Sequence, residues 1–452
     1  QQVEWTPGDM VILNDPYLGG THLPDVTVIA PLFVVPQPGE PEEKLQLAGF
    51  VVNRAHHADI GAESPGSMPI STTLAEEGLV IPPTKLMHDG AIDSDVIGKV
   101  TARTINKEQT IGDFTAQISA NRSGVQRLQQ LIDSIGLPNY RNNLCALNDY
   151  AERIAHTALD AIPDGRYQFK DVLDDDGLGH RDLAINVSVN VNGHHIDVNF
   201  DGTAAQTPGN VNCPLSVAAA GVYYVFRCLM PAYTPNCEGV FRAITISAPP
   251  GCLLNAQRPA AVAAGNVETS TRVVDVIMGA LAQAIPQQIP AASHGSMNNL
   301  AMGARQHLHD HEWQWDYYET IGGGMGAGPQ SAGLHAVQTH MTNTRNTPVE
   351  VIEQNYPVRV RRYGIRHGSG GTGGRNGGDG IVREFEFLQS ATVTLLTERR
   401  RHRPWGLNGG AAGAVGENRF NDEMLPGKIT FEVKSGDRLL IQTPGGGGWG
   451  RR

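Results

Sequence analysis

Gly19-Gly20-Thr21-His22-Leu23-Pro24-Asp25 leads into Val26-Thr27-Val28-Ile29-Ala30, and Leu47-Ala48-Gly49-Phe50-Val51-Val52 leads into Asn53-Arg54-Ala55-His56-His57-Ala58-Asp59-Ile60-Gly61. Both apolar runs read as β-strands. Pairing them as a hairpin brings the flanking polar clusters, with three histidines and two aspartates between them, to the same end of a sheet. That is an inventory of metal ligands. His22 and Asp25 are three residues apart, and from a turn beside a strand both can face one cation. Spacing alone does not choose between His56 and His57 as a third ligand. A mixture of imidazole and carboxylate suits Zn²⁺ or Mn²⁺ better than Ca²⁺ or Mg²⁺, which favour shells of oxygen. The plainer reading, side chains that cap turns and satisfy buried backbone groups, is the one an isolated His-x-x-Asp would carry; with a second cluster beside it the two readings stand about equal.

Around this hairpin, residues 10 to 100 are β-rich, with strand-like runs at Met10 to Leu13, Val26 to Val35 and Leu47 to Val52, and a surface loop at Pro36-Gln37-Pro38-Gly39-Glu40-Pro41. Between 107 and 135 the period turns helical, with Ile111, Phe114, Ile118, Val125, Leu128, Ile132 and Ile135 in phase before Gly136 and Pro138. A second helix is expected to carry Leu144, Leu147, Ala151, Ile154 and Ala158 on one face, stopping before Pro163, so the two suggest a helical hairpin. Strands return at Leu183 to Val191 and His195 to Phe200, joined through Asn192-Gly193, which suits a type I′ turn. Helical patterns follow at Val217 to Leu229 and Thr269 to Ala284, the latter with Val273, Val276, Ile277 and Leu281 on one face. Beyond residue 320 the chain is glycine-rich and β-leaning. The expectation is an α+β fold, large, mixed and β-rich, in four stretches: a metal-site region at 1–105, the helical hairpin at 106–165, a mixed region at 166–320 and a glycine-rich β region at 321–452.

The 35 basic and 46 acidic residues leave a net charge of −11, which excludes a protein that tracks nucleic acid or an anionic membrane surface. Arg399-Arg400-Arg401-His402-Arg403 is the local exception, an anion site or equally a solvated turn. Five cysteines, Cys145, Cys213, Cys228, Cys237 and Cys252, form no CxxC pair, so neither a disulfide framework nor a thiolate zinc site is indicated and a reducing cytoplasm is expected. No apolar run reaches the roughly 18 residues of a membrane span, and no basic-then-apolar leader opens the chain. The opening Gln1-Gln2-Val3-Glu4 lacks an initiator Met, so a preceding segment is expected to be missing.

The run Asn14-Asp15-Pro16-Tyr17-Leu18-Gly19-Gly20-Thr21-His22-Leu23-Pro24-Asp25, followed by Asn53 to Gly61, resembles the signature pair of the hydantoinase B/oxoprolinase family. Further stretches match in the expected order: Pro65 to Pro69, Pro208 to Asn212, Gly265-Asn266-Val267-Glu268-Thr269-Ser270, Thr339-His340-Met341-Thr342-Asn343-Thr344, the run from Gly370 to Leu407, and Thr443 to Gly448. The resemblance implies His56 as the third metal ligand. It also implies a hetero-oligomer, with a hydantoinase A-type partner that binds ATP and activates a small cyclic amide by phosphorylation. The absence of a GxxxxGK[ST] loop here fits that division, since Gly98-Lys99 and Gly427-Lys428 are followed by Val100 and Ile429. Family members carry a further segment before the first motif, expected to add a carboxylate near the metal.

Asp59 is a candidate for fixing an imidazole tautomer, or with His57 for the metal itself, and Asp15 is a lesser one. His340, Asn343 and Arg345 offer groups that could hold a substrate carboxylate, or equally a hydrogen-bonded turn. Asn266, Glu268 and Thr269 read as caps of the helix that follows. The 53 glycines read as tight turns more than as sites of backbone approach to a ligand, and Cys213 and Cys228 as packing more than as nucleophiles. The expected function is that of the metal-bearing subunit of an ATP-dependent hydrolase opening a hydantoin or 5-oxoproline-like ring. The alternatives are the equivalent subunit of an acetone- or acetophenone-type carboxylase and a scaffold without chemistry of its own.

Overall fold

The N-terminal sheet of the computed structural model, which describes residues 3–35, 45–62, 64–308 and 311–452, is antiparallel throughout. It is built from β1 (Met10–Leu13), β2 (Asp25–Val34), β3 (Gln46–His56), β4 (Thr84–His88) and β5 (Ala91–Ile92) in the order β3-β2-β1-β4-β5. The expected β2–β3 hairpin is present. The loop expected at 36–41 lies outside the described residues. After α1 (Ser94–Thr101), the long α2 (Lys107–Ile135) packs across β2 and β3 through Phe114 and Ile118. A polar ladder joins the same surfaces: Gln117 donates to the Val26 carbonyl at 3.0 Å and Asn121 to the Val28 carbonyl at 3.0 Å.

Gly136 (φ +80°) ends α2 and starts α3 (Leu137–Leu159). A left-handed residue at a helix end favours glycine, which has no Cβ to clash. The buried stripe of α3 is narrower than its apolar pattern suggests: Ala151, Ala155 and Leu159 are covered, whereas residues 141–147 are exposed all round, Leu144 and Leu147 included.

The middle sheet contains β6 (Gly165–Asp175), β7 (Arg181–Asn192), β8 (His195–Asn199) and β9 (Ile244–Ser247), the last parallel to β8. In the β7–β8 hairpin Asn192 pairs with His195, so the turn residues are Gly193 and His194, one position later than expected. Only Gly193 takes a positive φ (+55°), which is the pattern of a type II′ turn and not of type I′. Against this sheet lies α5 (Ser270–Leu281), and α4 (Leu215–Cys228) packs on α5. The predicted one-sided face of α5 is incomplete, because every residue from 270 to 281 is buried.

The C-terminal part pairs two sheets over one core. One contains β10 (Asn299–Leu308), β11 (His311–Thr320), β14 (Ala391–Leu396) and β17 (Lys428–Val433) in the order β11-β10-β14-β17. The other, following α6 (Val349–Asn355), contains β12 (Val358–Arg366), β13 (Gly380–Phe387), β15 (Glu417–Phe420), β16 (Glu423–Leu425) and β18 (Arg438–Gln442). Leu300, Val393 and Leu395 from the first meet Phe385, Phe387 and Ile441 from the second. Several glycines expected in turns have another task. The segments around Gly324, Gly378 and Gly446 lie side by side, bonded Gly324 N–H to the Pro444 carbonyl (3.0 Å) and Gly446 N–H to the Gly378 carbonyl (2.9 Å). A Cβ on Gly324 would run into the Gly378 carbonyl oxygen, so backbone packs directly on backbone.

Arg399 and Arg400 are neither an anion site nor a solvated turn. Arg399 is buried, its Nη2 2.7 Å from both Asp171 and Asp275. Arg272 of α5 bridges Asp171 (3.3 Å) and Glu398 (3.6 Å), and Lys428 meets Glu398 at 2.6 Å. The Asp174 carboxylate accepts the backbone N–H groups of Arg400, Arg401 and His402. The network joins β6, α5 and the 398–402 stretch because a buried guanidinium cannot shed its charge and must be paired.

Replacing Arg399 by Met leaves Arg272 alone to serve Asp171 and Asp275 and should lower stability by about 3–5 kcal/mol, read as a fall in the urea midpoint. Burial alone would raise the Asp171 carboxyl, but the Arg399 and Arg272 guanidiniums hold it at about 2 against an ordinary 3.8. This depressed acid therefore contributes about 2 kcal/mol that is fully present above pH 3.8 and is lost as the pH falls towards 2. Asp171→Asn should flatten that acid limb in denaturation measured against pH.

Candidate metal centre

Asp25 is the first residue of β2 and His56 the last of β3, and the antiparallel register sets them directly opposite each other. Cross-strand partners share a face of the sheet. His22 stands in the turn before β2, closed by the Asp25 N–H to the His22 carbonyl at 3.1 Å. Its Nε2 lies 3.4 Å from Asp25 Oδ1, and its ring centroid is 5.1 Å from that of His56. One donor atom from each of His22, Asp25 and His56 falls within 4.8 Å of the others, the one such group of three among the described residues.

The surroundings suit a cation. His22 is fully buried, yet neither ring nitrogen has a hydrogen-bond partner. A buried polar atom left so costs about 1–3 kcal/mol, which a bound cation would relieve. Burial by itself would raise the Asp25 carboxyl, but His22 and the Thr21 hydroxyl that donates to it hold the group well below the ordinary range. Crowding by protein, and then His22 alongside, push His56 down to about 4, although its ring still meets solvent at the mouth of the group. At neutral pH it is an uncharged imidazole with a free lone pair.

The other candidates lie elsewhere. His57, on the opposite side of the strand end, is buried against Phe114 (4.6 Å between rings), with Nε2 2.9 Å from Gln117 Oε1. Asp59 pins loops by accepting the Gly61 and Ile105 N–H groups, both at 2.7 Å. Asp15 caps the turn at Pro16–Leu18, accepting from the Tyr17 N–H at 3.0 Å, and pairs with Arg258. His340 stands in a Thr339–Thr342 turn at φ +58° and faces Asp275 at 3.7 Å, while Asn343 and Arg345 are exposed. Full burial raises the thiol of Cys213, and the protein around Cys228 raises that thiol although its residue still meets solvent, which leaves both poor nucleophiles.

Three residues beside the centre are not assigned to it by sequence. Asn266 and Glu268 are not caps, since α5 begins without a side-chain cap bond; they project from a π-helical turn, Gly265–Thr269, whose Asn266 Nδ2 stands 3.4 Å from Asp25 Oδ2. Tyr318 of β11 lies almost parallel to His56, 10° between planes and 5.9 Å between centroids. The signal available for Glu268 is an acid set between the apolar run Ala260–Ala264 and the largely apolar stretch Val273–Leu281, which draw it into the interior, where it needs partners.

A family model for hydantoinase B/oxoprolinase matches residues 1–452. The chain is 38% identical to 5-oxoprolinase 1 of Arabidopsis thaliana over 475 aligned positions, covering 98% of this chain and 35% of that protein. It thus spans about a third of the length of the plant relative. It is 33% identical to a protein of a Pseudomonas species provisionally named as the B-type subunit of a D-/L-hydantoinase, covering 98% of this chain and 76% of that one. The fold superposes on the crystal structure of an ATP-dependent caprolactamase from Pseudomonas jessenii with a TM-score of 0.85 at 26% identity, covering 99% of this chain and 78% of the other.

The two adjacent histidines should behave oppositely. His57→Ala opens a hole between Phe114 and Gln117 and should cost about 2–4 kcal/mol in chemical denaturation under chelating conditions, whereas His56→Ala should change stability by less than about 1 kcal/mol.

Proposed function

The chain belongs to the hydantoinase B/oxoprolinase family, and from that membership together with the grouping of His22, Asp25 and His56 we propose that it is the metal-bearing part of an ATP-dependent cyclic-amide hydrolase. The substrate class is a hydantoin or 5-oxoproline-like ring, and a hydantoinase A-type subunit or domain supplies the ATP site. The observation that carries the reading is the convergence of donor atoms from His22, Asp25 and His56 within 4.8 Å of one another, at a buried His22 whose ring nitrogens make no hydrogen bond. Two nitrogens and one carboxylate oxygen leave room for a substrate or water ligand and suit Zn²⁺ or Mn²⁺. When bound, such a cation supplies Lewis-acid polarisation of a carbonyl and lowers the pKa of water.

The chain's own residues then have distinct tasks. His22 and Asp25 hold from the buried side, and the Thr21 hydroxyl and the Asn266 amide keep the second Asp25 oxygen turned away. His56 faces the open side, where a ring amide would arrive. The names of the relatives support this chemistry: a 5-oxoprolinase and part of a hydantoinase, with a caprolactamase as structural neighbour. That the Pseudomonas relative is named as one subunit of its enzyme supports a separate ATP-binding partner, and the greater length of the plant protein supports fusion of the two parts in other lineages. Five free cysteines support a cytoplasmic setting, and no helix among the described residues is long and apolar enough to cross a membrane.

Chelation of the protein assembled with its ATP-binding partner should abolish ATP-dependent ring opening, and Mn²⁺ or Zn²⁺ should restore it. His22→Ala and His56→Ala should each lower turnover at least about 100-fold. Unchanged turnover in both variants would leave the chain a scaffold, and a strict need for bicarbonate would make the enzyme a carboxylase.

A further inference from the structure

The turn Gly265–Thr269 reaches the metal centre by two routes. It is a π turn, closed by the Ser270 N–H on the Gly265 carbonyl, a geometry that inserts a residue into a helix and is frequent at functional sites. The first route is Asn266, whose amide nitrogen approaches Asp25 Oδ2 at 3.4 Å. The second starts at Glu268, fully buried, whose Oε1 accepts from the Met297 N–H at 3.0 Å and from Asn299 Nδ2 at 2.7 Å.

The Glu268 carboxyl oxygen and the Leu396 carbonyl, at 2.7 and 2.9 Å, both accept from Asn299 Nδ2 and together decide which way that amide points. Its Oδ1 is thereby presented to Tyr318, whose hydroxyl donates to it at 2.7 Å. Asn299 and Tyr318 stand on paired strands, β10 and β11, and lie on the same face of that sheet. The base of the Tyr318 side chain is confined by the turn at Gly66, where a Cβ would fall 2.9 Å from Tyr318 Cβ. Held at both ends, the ring lies against His56 within the range of favourable aromatic contact.

We propose that Asn266 and the chain Glu268–Asn299–Tyr318 are positioning residues, which preset Asp25 and His56 for a divalent cation before it arrives. The inference rests on the metal reading of His22, Asp25 and His56. Partners that orient ligands govern metal affinity as strongly as some ligands do, commonly by 10–100-fold. Burial, with Glu268 and Asp25 nearby, pushes the Tyr318 phenol up, so its hydroxyl stays a donor at neutral pH. Burial followed by the neighbouring Glu398 raises the Glu268 carboxyl to about 7, and only its acceptor oxygen is needed here.

The test is calorimetric titration of Mn²⁺ and Zn²⁺ into the full-length protein, with the absorption bands of a Co²⁺-loaded sample as a second readout. Tyr318→Phe keeps the ring and loses the anchor; Asn266→Ala loses the contact to Asp25. Each should bind metal about 10–100-fold more weakly and shift the Co²⁺ bands, while the thermal midpoint of metal-free protein moves by no more than about 2 °C. Glu268→Ala should weaken binding to the same extent, and Glu268→Gln, which keeps an acceptor oxygen, should restore it to within about threefold. Tyr318→Phe and Asn266→Ala binding metal as tightly as wild type would overturn the inference and leave the metal reading intact. Glu268→Gln as weak as Glu268→Ala would overturn the positioning role in favour of one that needs charge. Wild-type protein that binds neither metal would overturn the metal reading itself, and this inference with it.

Discussion

A helix buried on every side while carrying Arg272 and Asp275 is the constraint around which the molecule is organised. Neither charge can be hidden alone; Arg272 Nε stands 3.8 Å from Asp275 within the helix, and further counter-charges come from outside it. Asp171 arrives from the middle sheet, Glu398 and Arg399 from the stretch that leaves β14. Meeting these demands together fixes the middle sheet, α5 and the C-terminal sandwich in one mutual arrangement. The π turn that opens α5 is placed by the same arrangement, which delivers Asn266 to a carboxylate some 240 positions earlier in the chain.

The candidate metal centre is thus a meeting of short-range and long-range design. Two of its candidate ligands face each other because β2 and β3 are consecutive antiparallel strands, and the third is carried by the turn that enters β2. A slip of one residue in that register would exchange His56 for His57 and turn the wrong imidazole to the cluster. What prevents the slip is the other side of the sheet. His57, Gln117, Asn53 and Asn121 form a hydrogen-bonded set under α2 that accepts only one alignment.

These two kinds of contact explain what can be read from residues alone. The β2–β3 hairpin, the two long helices and the mixed β-rich class are legible because period-two and period-3.6 patterns are local, and Gly136 marks a boundary without reference to anything distant. His56 and His57 cannot be separated by spacing, since the choice depends on which face α2 covers. Arg399 reads as a surface charge because its partners lie more than a hundred residues away. A rule that weighs only neighbours along the chain makes Glu268 a cap. Leu144 and Leu147 keep a helical phase and yet stay exposed.

The backbone-on-backbone contacts of the glycine segments bear on the order in which the chain can fold. Gly446 and Gly447 bond to Gly378 and to Ala292, so a stretch reached late in synthesis lies between segments made long before it. Loop closure over such separations is slow, and the earlier segments cannot find their final neighbours until the later one is free of the ribosome. The sandwich must therefore close after translation has passed residue 447, during which time its half-built edges are exposed to the cell and to its chaperones.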